Sequence, residues 1–256
     1  MKERIAAELV DIENRYEVRL LFAVESGSRA WGFASPDSDY DVRFVYAHRR
    51  DWYLGVFEQR DVIEEMLPDD LDISGWELRK ALRLFSKCNA ALNEWLGSPI
   101  VYSETPGFRP TLAALMPAYF NPVAAMHHYR RMAEHALADS LQERRIGIKK
   151  LFYALRAILA CRWIANMQAQ PPTEFTRLLA ADWVSIDERA WIEALLLDKA
   201  QAVEGAPAQL SIERLEAMHR EAEGYKQAAE TLEARPALER RAGDLDDVLR
   251  RWVVSD

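Results

Sequence analysis

The chain has little of what unusual folds are built from. Two of its 256 residues are cysteine, Cys88 and Cys161, and both fall within apolar helical patterns. That speaks against a disulfide framework and for a reducing compartment. Ten Gly and eleven Pro exclude a collagen-like or low-complexity chain. Basic charge is in deficit: 33 Lys+Arg stand against 41 Asp+Glu, a formal charge of −8. A generally basic nucleic-acid binder is thereby excluded, although a local basic groove is not. No stretch reaches the roughly 18 apolar residues of a membrane span, and the opening MKERIAAELVDIENRYE lacks the apolar run of a signal peptide. The expectation is a soluble, cytoplasmic protein without a membrane partner. What the chain does have is AVILMFWYC, at 50% of its residues, enough for one large core or two small ones.

The first hundred residues alternate between helical and strand patterns. Ile5, Leu9 and Ile12 predict a helix over 2–14. Val18–Ser26 reads as a buried strand, Tyr40–Tyr46 as a second, and Val62–Met66 as a third. Leu71–Ile73 reads as a short strand leading straight into a helix. Ser74 and Glu77 have capping-box spacing at its start, and an apolar stripe from Leu78 to Leu96 continues it to Gly97-Ser98-Pro99. Beyond Phe108 only helical stripes remain, over about 108–119, 122–140, 146–168, 173–182, 187–200, 210–231 and 242–252. Breaks at Asn121-Pro122, Pro171-Pro172, Gly205-Ala206-Pro207 and Arg235-Pro236 separate several of them. The expected division is an α/β domain over 1–105 and a helical domain over 106–256.

The chemistry-bearing pattern is Gly27-Ser28, ten residues, then Asp39-Tyr40-Asp41. Residues two apart on a strand share a face, so Asp39, Asp41 and Arg43 are expected to project together while Tyr40, Val42 and Phe44 face the core. Two adjacent carboxylates repel unless cations lie between them, and Mg²⁺ suits one or two carboxylates plus water and phosphate oxygens. Gly27-Ser28, directly after a buried strand, offers backbone N–H groups and a hydroxyl to a phosphate. Asp72 is a third acidic candidate, read either as a metal ligand or as a helix-N-terminal carboxylate favoured by the dipole.

Together these residues resemble the DNA polymerase β superfamily of nucleotidyltransferases. More narrowly, GSRAWGFASPDSDYDVRFVY, DISGWELRKALRLF, NEWLGSPIVY and KKLFYALRAILACRW are similar to the RlaP family of RNA-repair-associated predicted nucleotidyltransferases, from about Val18 to about Leu179. The resemblance implies an α+β fold: a mixed sheet with flanking helices, followed by an all-helical C-terminal domain. It implies that Asp39 and Asp41 hold two Mg²⁺ ions (or Mn²⁺), that Asp72 completes the metal site, and that Gly27, Ser28 and Arg29 contact the phosphates of an NTP. NMP would pass to a hydroxyl acceptor, with an RNA or tRNA end as the implied partner, and pyrophosphate would leave.

The helical half contains a local basic excess. Over Asn121–Ala165, Lys and Arg exceed Asp and Glu by five in a chain whose total is −8. Lys149, Tyr153 and Arg156 share a helical face with Lys150 alongside, read either as triphosphate and base contacts or as ordinary surface. His128 and His135 lack the i,i+4 spacing of a helical zinc pair, so no zinc is expected. Two other functions compete with transfer of NMP to RNA. One is a catalytically idle, antitoxin-like or nucleotide-binding module, against which the costly carboxylate pair argues. The other is transfer to a protein or small molecule.

Overall fold

Strand β1 (Arg19–Glu25) is buried at every residue after its first, because it is flanked on both edges and covered on both faces. The remaining strands are β2 (Tyr40–Ala47), β3 (Val62–Leu67), β4 (Leu71–Glu77) and β5 (Val101–Glu104). The computed structural model describes residues 1–68, 70–201, 206–208, 210–233 and 242–253. Gly205 and the Arg235-Pro236 break lie outside the described residues. The strands form one mixed sheet in the order β3-β4-β2-β1-β5, with β2 and β4 parallel and the other neighbours antiparallel. The α+β reading holds.

Both faces of the sheet carry a core. The helix Lys2–Tyr16 buries Ile5, Leu9 and Ile12 in a cluster with Val42, Phe44 and Ile73. On the opposite face, helices Leu78–Ser86, Ala90–Leu96, Phe108–Tyr119 and Ala242–Trp252 contribute Leu78, Leu92, Phe108 and Trp252 to a cluster with Phe22 and Val45. Phe108 lies 5.7 Å from Phe22 and 5.4 Å from Trp252, ring centre to ring centre. Pairing skips a residue between Leu20 and Phe22, so the bulged Leu21 joins Phe22 in the second cluster. At Gly75, a Cβ would overlap the ring of its cross-strand partner Phe44, which is why the strand needs glycine there.

The start of the sheet-flanking helix differs from its sequence reading. Pairing with β2 carries β4 through Ser74 as far as Glu77, so Ser74 cannot cap. Glu77 is itself the N-cap, accepting hydrogen bonds from the backbone of Arg79 and Lys80. The apolar stripe also proves to be two helices. Cys88 adopts a left-handed φ of 56°, and Asn89 caps the second helix through Leu92 N–H. β5 went unrecognised in the sequence because its four residues, exposed at both ends and half-buried in the middle, carry no alternating signal.

By chain contacts, one compact unit comprises Met1–Ala30, Asp39–Tyr119 and Pro236–Asp256, and the other Trp31–Ser38 and Phe120–Arg235. The helix Phe108–Tyr119 therefore belongs with the sheet, for the packing reasons given above. In the second unit, helices Pro122–Leu137, Ile148–Met167 and Ile212–Thr231 enclose a core containing Phe152, Leu155, Phe175, Ile192 and Leu215. The short segment Trp31–Ser38 is part of this unit, with Trp31 and Phe33 buried in its core. Among the described residues, no helix is long and apolar enough to cross a membrane.

Candidate functional site

β1 ends at Glu25, and the chain turns at Gly27 into the short helix Gly27–Trp31. Gly27 has φ +59°, and a Cβ there would run into Asp41 Oδ2. Glycine is thus required twice, by the backbone conformation and by the approach of the carboxylate. Ser26 N–H donates to the Asp41 carbonyl at 2.8 Å, so the turn is tied to the start of β2.

Parallel pairing sets Asp41 directly opposite Asp72 and Arg43 opposite Ser74. Arg43 Nη2 bridges the two carboxylates, 2.9 Å from Asp41 Oδ1 and 2.7 Å from Asp72 Oδ2. Arg43 Nη1 also donates to the Asp72 carbonyl at 3.1 Å. Both carboxylates remain partly open, each with 30% of its side chain exposed. Arg43 thus forms a salt bridge with Asp41 that Asp72 shares. Asp72 lies within β4, well before the helix that begins at Leu78, so the helix-capping reading of Asp72 fails; Glu77 fills that role.

Asp39 is exposed and precedes the first residue of β2. Its carbonyl accepts from Arg29 Nε at 2.9 Å, and the Arg29 guanidinium lies 3.7 Å from the centre of the Tyr40 ring. Ser28 is 9% exposed. A paired, half-open carboxylate site of this kind suits a hard divalent cation that keeps water and takes phosphate oxygens. Among the described residues no group of three His, Cys, Asp or Glu side chains is gathered to hold a metal. The fit is therefore that of a two-carboxylate pair, Asp41 and Asp72, with Asp39 exposed just before β2.

The four candidates on the long helix belong to the helical unit. Lys150 is exposed, and Lys149 and Tyr153 are half-buried. Tyr153 packs edge-on against Trp31 at 4.9 Å. Arg156 is 0% exposed, with its guanidinium carbon 4.3 Å from the Trp31 ring centre and 5.8 Å from that of Tyr129. The expected common surface face of Lys149, Tyr153 and Arg156 breaks at Arg156, because this helix is buried all round from Ala154 to Cys161. The helix begins at Gly147 without a side-chain cap, so the positive end of its dipole lies beside Lys149 and Lys150.

Two residues next to the carboxylate pair carried no functional reading in the sequence. Glu25 is 0% exposed and accepts a hydrogen bond from Asp41 N–H at 2.8 Å. Its other oxygen accepts one from the Tyr102 hydroxyl. Burial pushes the Glu25 carboxyl above the usual range, opposed by these two hydrogen bonds. The available signal was a carboxylate closing an otherwise apolar strand.

The mixed sheet carries Gly27-Ser28 after one strand and opposed aspartates on its two parallel neighbours, and the chain is of the DNA polymerase beta class. The chain belongs to the RNA repair pathway DNA polymerase beta family, RlaP, whose family model matches residues 1–251. It is 44% identical over 256 residues to the protein YcgL of Bacillus subtilis (strain 168), covering 100% of this chain and 96% of that one. Among solved structures it matches a nucleotidyltransferase-like protein from Exiguobacterium sibiricum 255-15 at 12% identity, covering 96% of this chain and 80% of that chain with a TM-score of 0.30.

Proposed function

We propose that the protein transfers NMP from an NTP to a hydroxyl at an RNA end, dependent on Mg²⁺ (or Mn²⁺) held at Asp41 and Asp72, with Asp39 joining as a ligand. The observation that carries this reading is the pairing of Asp41 with Asp72 beside the Gly27 turn. The family's description as part of an RNA repair pathway favours RNA, a tRNA end included, as the acceptor. The divalent ion, when bound, would lower the pKa of the attacking hydroxyl and neutralise the leaving pyrophosphate.

The rest falls to the chain itself. The amides of the Gly27-Ser28 turn, the Ser28 hydroxyl and Arg29 bind the triphosphate. The acceptor oxygen attacks the α-phosphorus in line, the bond from that phosphorus to the bridging oxygen breaks, and the hydroxyl proton passes to Asp72. Arg43 holds the two carboxylates in place and keeps their repulsion in check. Lys149 and Lys150, in the first turn of the long helix, are proposed phosphate contacts, with Tyr153 as a base contact. Full burial of Arg156 supports an internal role for that residue instead.

The experiment is incubation with each α-labelled NTP, Mg²⁺ and bulk RNA, following label and pyrophosphate. Label should enter RNA in the wild type and be lost in Asp39→Ala/Asp41→Ala. Equal behaviour of the two proteins would sink the transferase reading. Label appearing in protein or a small molecule instead would move the acceptor and leave the chemistry intact.

A further inference from the structure

We infer that Glu25, anchored by Tyr102, is a positioning residue that fixes Asp41 and thereby sets the affinity of the site for a divalent cation. The inference rests on the metal-dependent reading above.

Asp41 is held on every side by groups near the end of β1. Its carbonyl accepts from Ser26 N–H, and its carboxylate is confined by Gly27 and Arg43. The chain leaves β1 at Glu25 and turns into the short helix, and the Glu25 carboxylate accepts from the Asp41 N–H at 2.8 Å.

The choice of glutamate is costly. Burying a carboxyl completely is unfavourable unless its oxygens are hydrogen-bonded, and a hydroxyl or amide side chain could satisfy one N–H at lower cost. Here the backbone of Glu25 is itself fixed, with its N–H donating to the Ile100 carbonyl at 3.0 Å and its carbonyl accepting from Ser98 Oγ at 2.6 Å. Its second oxygen is tied to Tyr102 on β5. A rigid, doubly anchored carboxyl thus fixes the peptide from which a metal-facing side chain projects. Groups that orient a ligand in this way typically change metal affinity about 10- to 100-fold when removed.

The test is Mn²⁺ titration of the full chain by water-proton relaxation, alongside thermal melts, for wild type, Asp41→Asn, Glu25→Ala, Glu25→Gln and Tyr102→Phe. Asp41→Asn should abolish tight binding. Glu25→Ala should weaken Mn²⁺ binding roughly 10- to 100-fold, and Tyr102→Phe should weaken it to a lesser degree. Glu25→Gln keeps a carbonyl that can accept from Asp41 N–H and should recover most of the affinity. A purely structural role would lower the melting temperature while leaving Mn²⁺ affinity unchanged, and that result overturns the inference. Should Glu25→Ala fail to fold, wild-type affinity in Tyr102→Phe overturns it equally. If the wild type shows no Mn²⁺ binding that depends on Asp41, the metal-dependent reading itself fails and takes this inference with it.

Discussion

The backbone of Gly27 lies against the carboxylate of Asp41 so closely that no side chain fits between them. The turn at Gly27 and the start of β2 are therefore one packed unit. Gly27→Ala meets both a φ of +59° and the Asp41 oxygen. It should cost about 1–3 kcal/mol of stability in urea titration. It should also remove most of the thermal stabilisation by Mg-NTP, since relief of the overlap displaces Asp41.

Arg43 neutralises a carboxylate pair whose members are only partly shielded from water. Arg43→Gln should destabilise the protein by about 1–3 kcal/mol at low ionic strength. Added Mg²⁺ should narrow the gap from wild type, because a divalent ion can take over the screening of Asp41 and Asp72. Urea titrations with and without Mg²⁺ check this, and a gap unmoved by Mg²⁺ would count against the pair as a cation site.

Asp72 and Glu77 occupy the same strand and should respond differently. Glu77 is 1% exposed and caps a helix through two amides at 2.8 and 3.1 Å. Glu77→Ala should cost about 1–2 kcal/mol, with Glu77→Gln recovering part of it. Asp72→Asn should leave folding and NTP binding largely intact while abolishing transfer. Denaturation and nucleotide-binding titrations on the same preparations separate the two roles.

His48 stacks on Trp52 with ring centres 4.3 Å apart, and burial lowers its pKa from 6.5. The unfolded chain then binds the proton more readily than the folded one, so stability falls as pH drops below 6.5. Replacement by Gln removes the titrating group. The stability difference between wild type and His48→Gln should be flat above neutrality and shift against wild type on acidification. Urea titrations across that pH range measure it.

Arg156 should act as a core residue. Arg156→Ala removes a fully buried side chain lying under Trp31 and Tyr129, and the expected cost is about 2–5 kcal/mol. Loss of nucleotide binding with unchanged stability would instead restore its reading as a ligand contact.

Local pattern was enough for much of this protein. Helix periodicity marked Lys2–Tyr16, short apolar runs marked β1 and β2, and the spacing from Gly27-Ser28 to Asp39 and Asp41 carried the resemblance to the polymerase β class. These features depend on neighbours within a few residues, where side-chain period and turn chemistry act. Non-local pairing decided the rest. The register of β2 on β4 set Asp72 beside Asp41 and gave Arg43 two partners, and the same pairing prolonged β4 past Ser74 and made Glu77 the cap. Packing on all sides of one helix hid Arg156, and the end of β1 turned Glu25 inward against Asp41 and Tyr102. A sequence with few cysteines, few glycines and no excess of basic charge could exclude whole classes of protein. Which of its many charged residues face each other depended on strand register and burial, which arise only when distant segments pack.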